Sequence, residues 1–188
     1  MTSVRRRRKS PIRGGARAAA LLTLMDVQTG RFPEDALDDH GAGLDRRDRA
    51  LASALVNGVL RRLTRLEWTL RHFLEEPDKP LEPIIRTILN LGLFQLLHLD
   101  RVPASAAVNE SVNLAKAHGP PWSPKLVNGV LRAVTRAERL PDPASAGLPE
   151  IERLAIEWSH PLWLVQRWAD EIGLEETAAL LAANNKIP

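Results

Sequence analysis

The sequence predicts an all-α fold, and three features support this class. Hydrophobic residues make up 44% of the 188 residues, which suffices for one core of ordinary size. Aromatic residues make up only 4% and tyrosine is absent, so the chain is poor in the residue types that favour β-strands. Apolar residues instead recur at intervals of three or four along most of the chain, as in helices with one buried face.

Two long helices are predicted in the first 80 residues. The first covers residues 16–30, where Gly30 ends the apolar pattern. The second covers residues 45–75, with Asp45 as its N-terminal cap and a bend near Thr64. Prolines follow this second stripe and end it.

The remaining chain predicts further helices separated by proline and glycine. Pro83 suits the first turn of a helix that is apolar on almost every side, which places this helix at the centre of the fold. Ser123 followed by Pro124 predicts a cap and a first-turn proline. The predicted segments are 83–98, 105–119, 125–140, 150–160 and 161–185, the last divided at Gly173.

An internal repeat relates two of these helices. Residues 56–65 are VNGVLRRLTR and residues 127–136 are VNGVLRAVTR, which are identical at eight of ten positions. The repeat implies two related helical halves. Glycine inside a helix costs about 0.5–1 kcal/mol relative to alanine, so Gly58 and Gly129 are each expected to admit another helix at close range. The alternative is an ordinary amphipathic helix with a chance glycine.

Positive charge is concentrated at the N-terminus. The first 17 residues carry seven cations and no acid, whereas the rest of the chain carries 19 basic and 23 acidic residues. Such an arginine-rich segment is typical of RNA binding, because each neutralised phosphate releases counterions. A solubilising tail, or contact with a membrane surface or an acidic protein, is the alternative. The seven residues are Arg5, Arg6, Arg7, Arg8, Lys9, Arg13 and Arg17.

Several functions are disfavoured by the residues themselves. The chain has no cysteine, and no two of its five histidines have the spacing that would place them on one helix face. No glycine-rich phosphate loop follows a predicted strand, and no apolar stretch is long enough to cross a membrane. We therefore expect no catalytic, cofactor or metal site in this chain, and a cytoplasmic location. The spacing of Trp158, Trp163 and Trp168 predicts mostly core or domain-interface positions.

Residues 107–132, AVNESVNLAKAHGPPWSPKLVNGVLR, resemble the signature of the NusB-like helical fold. ARAAALLTL and PIIRTILNLGLFQLL are similar to its first and central helices. The resemblance implies two three-helix bundles, here with an additional helical segment at the C-terminus. This fold occurs in free NusB transcription antitermination factors. It also forms the N-terminal domain of the RsmB/Sun family, which methylates C5 of a cytosine in 16S ribosomal RNA using S-adenosylmethionine. Residues 157–188 resemble the linker that precedes the methyltransferase domain in that family, which favours the RsmB/Sun type.

The chain departs from the enzyme family in its catalytic parts. Family members use two cysteines and a doubly wound domain with glycine-rich loops, and none of these is present. We therefore expect an N-terminal fragment that is inactive alone. The predicted divisions are a flexible basic arm (1–13), a NusB-like RNA-binding domain (14–140), a linker (141–149) and an incomplete helical linker region (150–188).

The resemblance also implies partners. NusB binds RNA through an arginine-rich N-terminal segment and the neighbouring helix surface, and the matching positions here are the seven basic residues named above. The expected partner is RNA, ribosomal in origin, with a methyltransferase domain or a ribosomal protein as further candidates and no membrane. The alternative function is a NusB-type antitermination factor or a protein-interaction adaptor.

Overall fold

The computed structural model describes residues 15–185, and every regular element in this range is helical, which confirms the predicted all-α class. Ten α-helices and one short 3₁₀ turn follow in order. They are α1 Gly15–Gln28, α2 Pro33–His40, α3 Arg46–Arg61, α4 Leu63–Arg71, α5 Pro83–His98, α6 Ala104–His118, α7 Ser123–Arg136, the 3₁₀ turn Pro143–Ser145, α8 Glu150–Glu157, α9 Leu162–Ile172 and α10 Leu174–Asn184.

The helices belong to two compact units that divide within α3, between Val56 and Asn57. Unit 1 holds α1, α2 and the first part of α3. Unit 2 holds the end of α3 and all later helices. The predicted domain boundaries at residues 140 and 149 remain a prediction.

Unit 1 contains a helix that the sequence analysis missed. In α2 only Ala36 is buried, so the helix has no apolar stripe to reveal it. Its start has ordinary signals, because Pro33 occupies the first turn and Glu34 and Asp35 lie near the positive end of the helix dipole. The predicted cap of α3 is confirmed, since the Asp48 backbone N–H donates to Asp45 Oδ1 at 2.8 Å.

The stripe predicted as one helix over residues 45–75 forms two helices. Arg62 leaves the helical conformation, with φ −119° and ψ 16°, and separates α3 from α4 close to the predicted bend. The second helix ends at Arg71 rather than at Glu75, because His72 and Phe73 close a tighter turn onto Thr69 O and Leu70 O.

The predicted central helix is confirmed as α5, whose middle is buried on all sides from Thr87 to Gln95. α6 and α7 pack against it closely. A Cβ at Gly92 would lie 2.5 Å from Leu131 Cδ1 on α7 and 2.7 Å from Ser111 Oγ on α6. The absence of a side chain at Gly92 therefore allows both α6 and α7 to pack closely against α5.

Ser123 does not cap α7 as predicted. It is the first residue of the helix and is fully buried, and its Oγ donates to Pro120 O at 2.7 Å. The buried Ser123 hydroxyl is engaged by the preceding turn. It therefore does not cap the free N–H groups at the start of α7. α7 also ends at Arg136, four residues before the predicted end at residue 140.

The two repeat glycines have different environments. A Cβ at Gly58 would lie 2.0 Å from Phe94 Cζ, which confirms the predicted close approach by another helix. The same prediction is wrong for Gly129, because no atom lies within 4 Å of its Cβ position. The two copies of the repeat, although nearly identical in sequence, therefore do not pack identically.

α8, α9 and α10 form a satellite core of their own. Its buried members are Leu154, Ala155, Val165 and Leu181. Trp158 and Trp168 pack against this cluster as predicted, whereas Trp163 is 67% exposed and is not a core residue. No helix in residues 15–185 is long and apolar enough to cross a membrane.

Candidate nucleic-acid interface

The structure describes one of the seven basic residues predicted to bind RNA. Arg17 lies in the first turn of α1 and is half-buried. The other six, Arg5, Arg6, Arg7, Arg8, Lys9 and Arg13, lie outside residues 15–185. The point at which this basic segment joins the fold is therefore the start of α1 at Gly15.

The N-terminal ends of α1 and α3 lie side by side in unit 1. A side chain added at Gly15 would lie 3.5 Å from Asp48 Oδ2 in the first turn of α3. Ala16 and Ala19 of α1 form a buried cluster with Ala52 of α3, and these small side chains permit a close crossing. The described part of the chain thus begins beside the first turn of α3.

That turn adds two cations that the sequence analysis did not single out. Arg46 and Arg47 are exposed, and neither forms an ion pair within the described part of the chain. The free N–H groups of a helix start also favour an anion nearby. The local sequence DRRDR alternates acids and bases and so conceals these two arginines; only the ion pairing of the folded chain distinguishes them from Arg49, which pairs with Asp38.

The other side of unit 1 is unsuited to an anion. Arg31 Nη1 donates to Asp26 Oδ2 at 2.9 Å, and the same guanidinium also pairs with Asp39. His40 Nε2 lies 2.9 Å from the same Asp26 oxygen. The hydrogen bonds from His40 and Arg31 lower the pKa of Asp26, so its carboxylate stays charged and keeps the Arg31 guanidinium paired.

The cations of unit 2 fall into two groups. One group is ion-paired with nearby carboxylates: Arg65, Arg71, Lys79, Arg86, Arg153 and Arg167. In the other group no ion pair forms among the described residues. It includes three exposed residues of one helix, α7: Lys125, Arg132 and Arg136.

Arg65 serves a structural role in unit 2. Its backbone N–H donates to Ser159 Oγ at 3.0 Å, and its Nη2 donates to Pro141 O at 3.2 Å. Its guanidinium also lies 5.2 Å from the centre of the Trp68 ring. Arg65 therefore fastens the chain around α8 to α4 and is not available to a ligand.

His98 ends α5 as predicted, near this arginine. Burial of the imidazole, together with the positive charges of Arg62 and Arg65, lowers its pKa. The neutral form is therefore favoured at neutral pH, so His98 adds no charge to the surface.

The charged residues that line one groove in unit 2 are mainly acidic. Its volume is about 490 Å³, and it lies between the segment after α4 and the start of α7. Leu74, Leu81 and the exposed Trp122 supply apolar surface. Its acidic residues are Glu75, Glu76 and Glu82, against one cation, Lys79, which pairs with Glu76. Charge alone makes this groove a poor place for a phosphate.

The described residues do not fit a methyl-donor or metal site. S-adenosylmethionine folds bind their ligand at glycine-rich loops that follow strands, and residues 15–185 contain no strand. The chain has no cysteine to act as a nucleophile. Within the same range no three His, Cys, Asp or Glu side chains come together as metal ligands would.

Residues 15–136 match the NusB family, and the chain belongs to that family. This match ends at the last residue of α7. The resemblance noted from the sequence is thereby confirmed.

The relatives of this chain are methyltransferases. A probable ribosomal RNA small subunit methyltransferase B of Bacillus subtilis is 39% identical over 132 residues, which are 70% of this chain and 29% of the relative. A probable ribosomal RNA small subunit methyltransferase B of Synechocystis is 37% identical over 180 residues, covering 92% of this chain and 39% of the relative. The chain thus spans about a third of the length of these relatives.

Solved structures agree on the fold. NusB of T. maritima has a TM-score of 0.58 at 22% identity and covers 67% of this chain and 90% of its own. The antitermination factors NusB and NusE have been solved in complex with double-stranded RNA. A chain of that structure has a TM-score of 0.57 at 25% identity and covers 65% of this chain and 94% of its own. Both solved chains are nearly complete in these matches, whereas a third of this chain lies outside them.

Proposed function

We propose that this chain is the RNA-docking N-terminal portion of an S-adenosylmethionine-dependent 16S ribosomal RNA cytosine-C5 methyltransferase. It works in the cytoplasm and carries no catalytic group of its own. The methyl donor and the catalytic cysteines belong to the part of the relatives that this chain does not span. The chain's task is to hold the RNA for that part.

The length of chain that is similar to the methyltransferase relatives supports this proposal. The NusB match stops at residue 136, but the similarity to the Synechocystis methyltransferase covers 92% of the chain and so extends into α8 and α9. Arg65 and Ser159 join these helices to α4. A free NusB factor would have no use for such an addition, whereas a methyltransferase needs a connection to its catalytic part.

Charge supports RNA as the ligand. The basic residues Arg5–Lys9 and Arg13 precede α1 in the sequence, and the first residue of α1 lies beside the turn of α3 that carries Arg46 and Arg47. The rest of the chain is slightly acidic, so RNA is attracted at this end and repelled from the acidic surfaces. Contacts of this kind bind phosphates without regard to sequence and set the orientation of the RNA.

Replacing Arg5, Arg6, Arg7 and Arg8 by alanine is expected to weaken binding to transcribed 16S ribosomal RNA. Each lost phosphate contact reduces the slope of log K against log salt by about 0.7–0.9, so four lost contacts reduce it by about 3. Gel shifts at a series of salt concentrations measure this slope.

The matched control replaces four ion-paired arginines by alanine, with the same change in net charge. These are Arg49, Arg71, Arg86 and Arg167. The control is expected to keep the slope of the unmodified chain. Equal slopes for all three proteins would refute RNA binding by the basic segment.

The exposed apolar side chains of α9 and α10 favour a second role for the C-terminal helices, which is packing against another part of the enzyme. Five large apolar side chains of α9 and α10 are exposed: Leu162, Trp163, Ile172, Leu174 and Leu180. Large apolar side chains exposed on neighbouring helices suit an interaction site. They suit packing against the catalytic part of the enzyme, which would fix the angle at which bound RNA is presented.

The chain alone is therefore expected to self-associate through this surface as its concentration rises. Sedimentation velocity measures the shift in sedimentation coefficient, and Trp163→Ser is expected to reduce it. Phe32→Ser is the control, because Phe32 is also exposed but lies in unit 1. A monomer at all concentrations would speak against the role in packing without affecting the proposal on RNA.

A further inference from the structure

α7 has one face without a partner in its unit. Val127, Val130, Leu131 and Val134 bury the opposite side. The exposed side presents Lys125, Arg132 and Arg136, at relative positions 0, 7 and 11, which fall on one face of a helix. The helix contains no acidic residue. We call Lys125, Gly129, Arg132 and Arg136 the α7 basic face.

The three charges of this face are unneutralised. None of them forms an ion pair with any carboxylate in residues 15–185, although six other cations of unit 2 do. Arg132 Nε instead donates to Asn128 Oδ1 at 2.9 Å, which orients the guanidinium along the helix. An approaching anion therefore displaces no internal carboxylate.

Gly129 lies between these cations, and because it has no side chain the helix backbone is accessible at that point. Within residues 15–185 no atom beyond the adjoining backbone of α7 lies within 4 Å of its Cβ position, so packing in this part of the chain gives no reason for a glycine there. In the first copy of the repeat, Gly58 is required by the ring of Phe94. A helical glycine without a packing role is explained if a ligand approaches the backbone.

We propose that the α7 basic face binds the sugar-phosphate backbone of RNA, as a contact separate from the basic N-terminal segment. This inference rests on the proposed RNA-docking function and assigns that function a second surface. Lys125 and Arg136 are about 16 Å apart along the helix axis, which spans several phosphates of one strand. Arginine and lysine contact phosphate oxygens, and Gly129 lets the strand lie close to the helix.

The first test replaces Lys125, Arg132 and Arg136 together by alanine. Loss of about three phosphate contacts is expected to reduce the slope of log K against log salt for transcribed 16S ribosomal RNA by about 2–3. The control replaces Arg71, Arg86 and Arg167, which have the same total charge but are ion-paired, and is expected to leave the slope unchanged. Circular dichroism and denaturant unfolding establish that each variant is folded.

A second variant tests the role of Gly129 without a change in charge. Gly129→Gln places a bulky, helix-compatible side chain between the cations, in space that is open in this chain. It is expected to raise the Kd for RNA at least severalfold while the free energy of unfolding does not fall. Unchanged RNA binding by both the triple variant and Gly129→Gln would overturn the inference.

The two proposals fail in different ways. If the unmodified chain binds RNA, the Arg5–Arg8 variant loses binding and the α7 variants do not, only the α7 basic face is refuted. If the α7 variants lose binding and the Arg5–Arg8 variant does not, the α7 basic face is supported and the role of the basic segment fails. Binding of the unmodified chain to phosphatidylglycerol vesicles but not to RNA would overturn both.

Discussion

Replacing Gly58 by alanine is expected to lower the free energy of unfolding by about 1–3 kcal/mol, because the new methyl group overpacks a filled core. Its Cβ would lie 2.0 Å from Cζ of Phe94 and 2.5–2.6 Å from two further ring atoms. Phe94 is itself buried, so its ring cannot turn aside without displacing neighbours. Urea unfolding followed by circular dichroism measures the change.

Gly129→Ala is the matched control, since it makes the same substitution at the corresponding position of the repeat. The added methyl group meets nothing within 4 Å, and alanine favours the helix by about 0.5–1 kcal/mol. The control is therefore expected to gain stability. Similar losses in the two variants would contradict the difference in packing between the two copies.

Leu181→Ala is expected to cost about 2–5 kcal/mol within the satellite core of α8, α9 and α10. Leu181 is fully buried there with Leu154 and Val165, and shortening it leaves a cavity in a small cluster that has few other apolar contacts. The loss is expected as faster amide hydrogen exchange in these three helices, because small satellite cores open locally.

The neighbouring residue supplies the control for this loss. Leu180 has the same side chain but is 36% exposed, so Leu180→Ala removes less buried surface and is expected to cost under about 1 kcal/mol. A Leu181→Ala protein whose exchange rates match those of Leu180→Ala would contradict the burial described for Leu181.

The sequence was sufficient for most helices because their signals are local. Proline at Pro83, the carboxylate of Asp45 and the apolar stripe of α5 each act within a few residues, and the structure has all three as expected. α2 was missed because it buries a single alanine and so leaves almost no periodic pattern. Ser123 was misassigned because its use as a buried donor depends on the preceding turn and not on its neighbours in the helix.

The candidate interface was less predictable from sequence. The run Arg5–Lys9 is visible in composition, but the availability of a cation depends on which carboxylates fold against it. Arg49 and Arg47 are indistinguishable in the sequence, and only the structure pairs the first with Asp38. The α7 basic face had a signal, the absence of acids from residues 123–136, but Gly129 was assigned to helix packing by analogy with Gly58.

The two copies of the ten-residue repeat have different constraints on their later evolution. Gly58 is held in place by an aromatic ring, and the Arg65 side chain by its hydrogen bond to Pro141 O and its position over the Trp68 ring, so changes at either position are opposed by the fold itself. Their counterparts Gly129 and Arg136 have no such internal contacts among the described residues. The first copy thus maintains the scaffold, whereas the second can vary with whatever the surface must recognise.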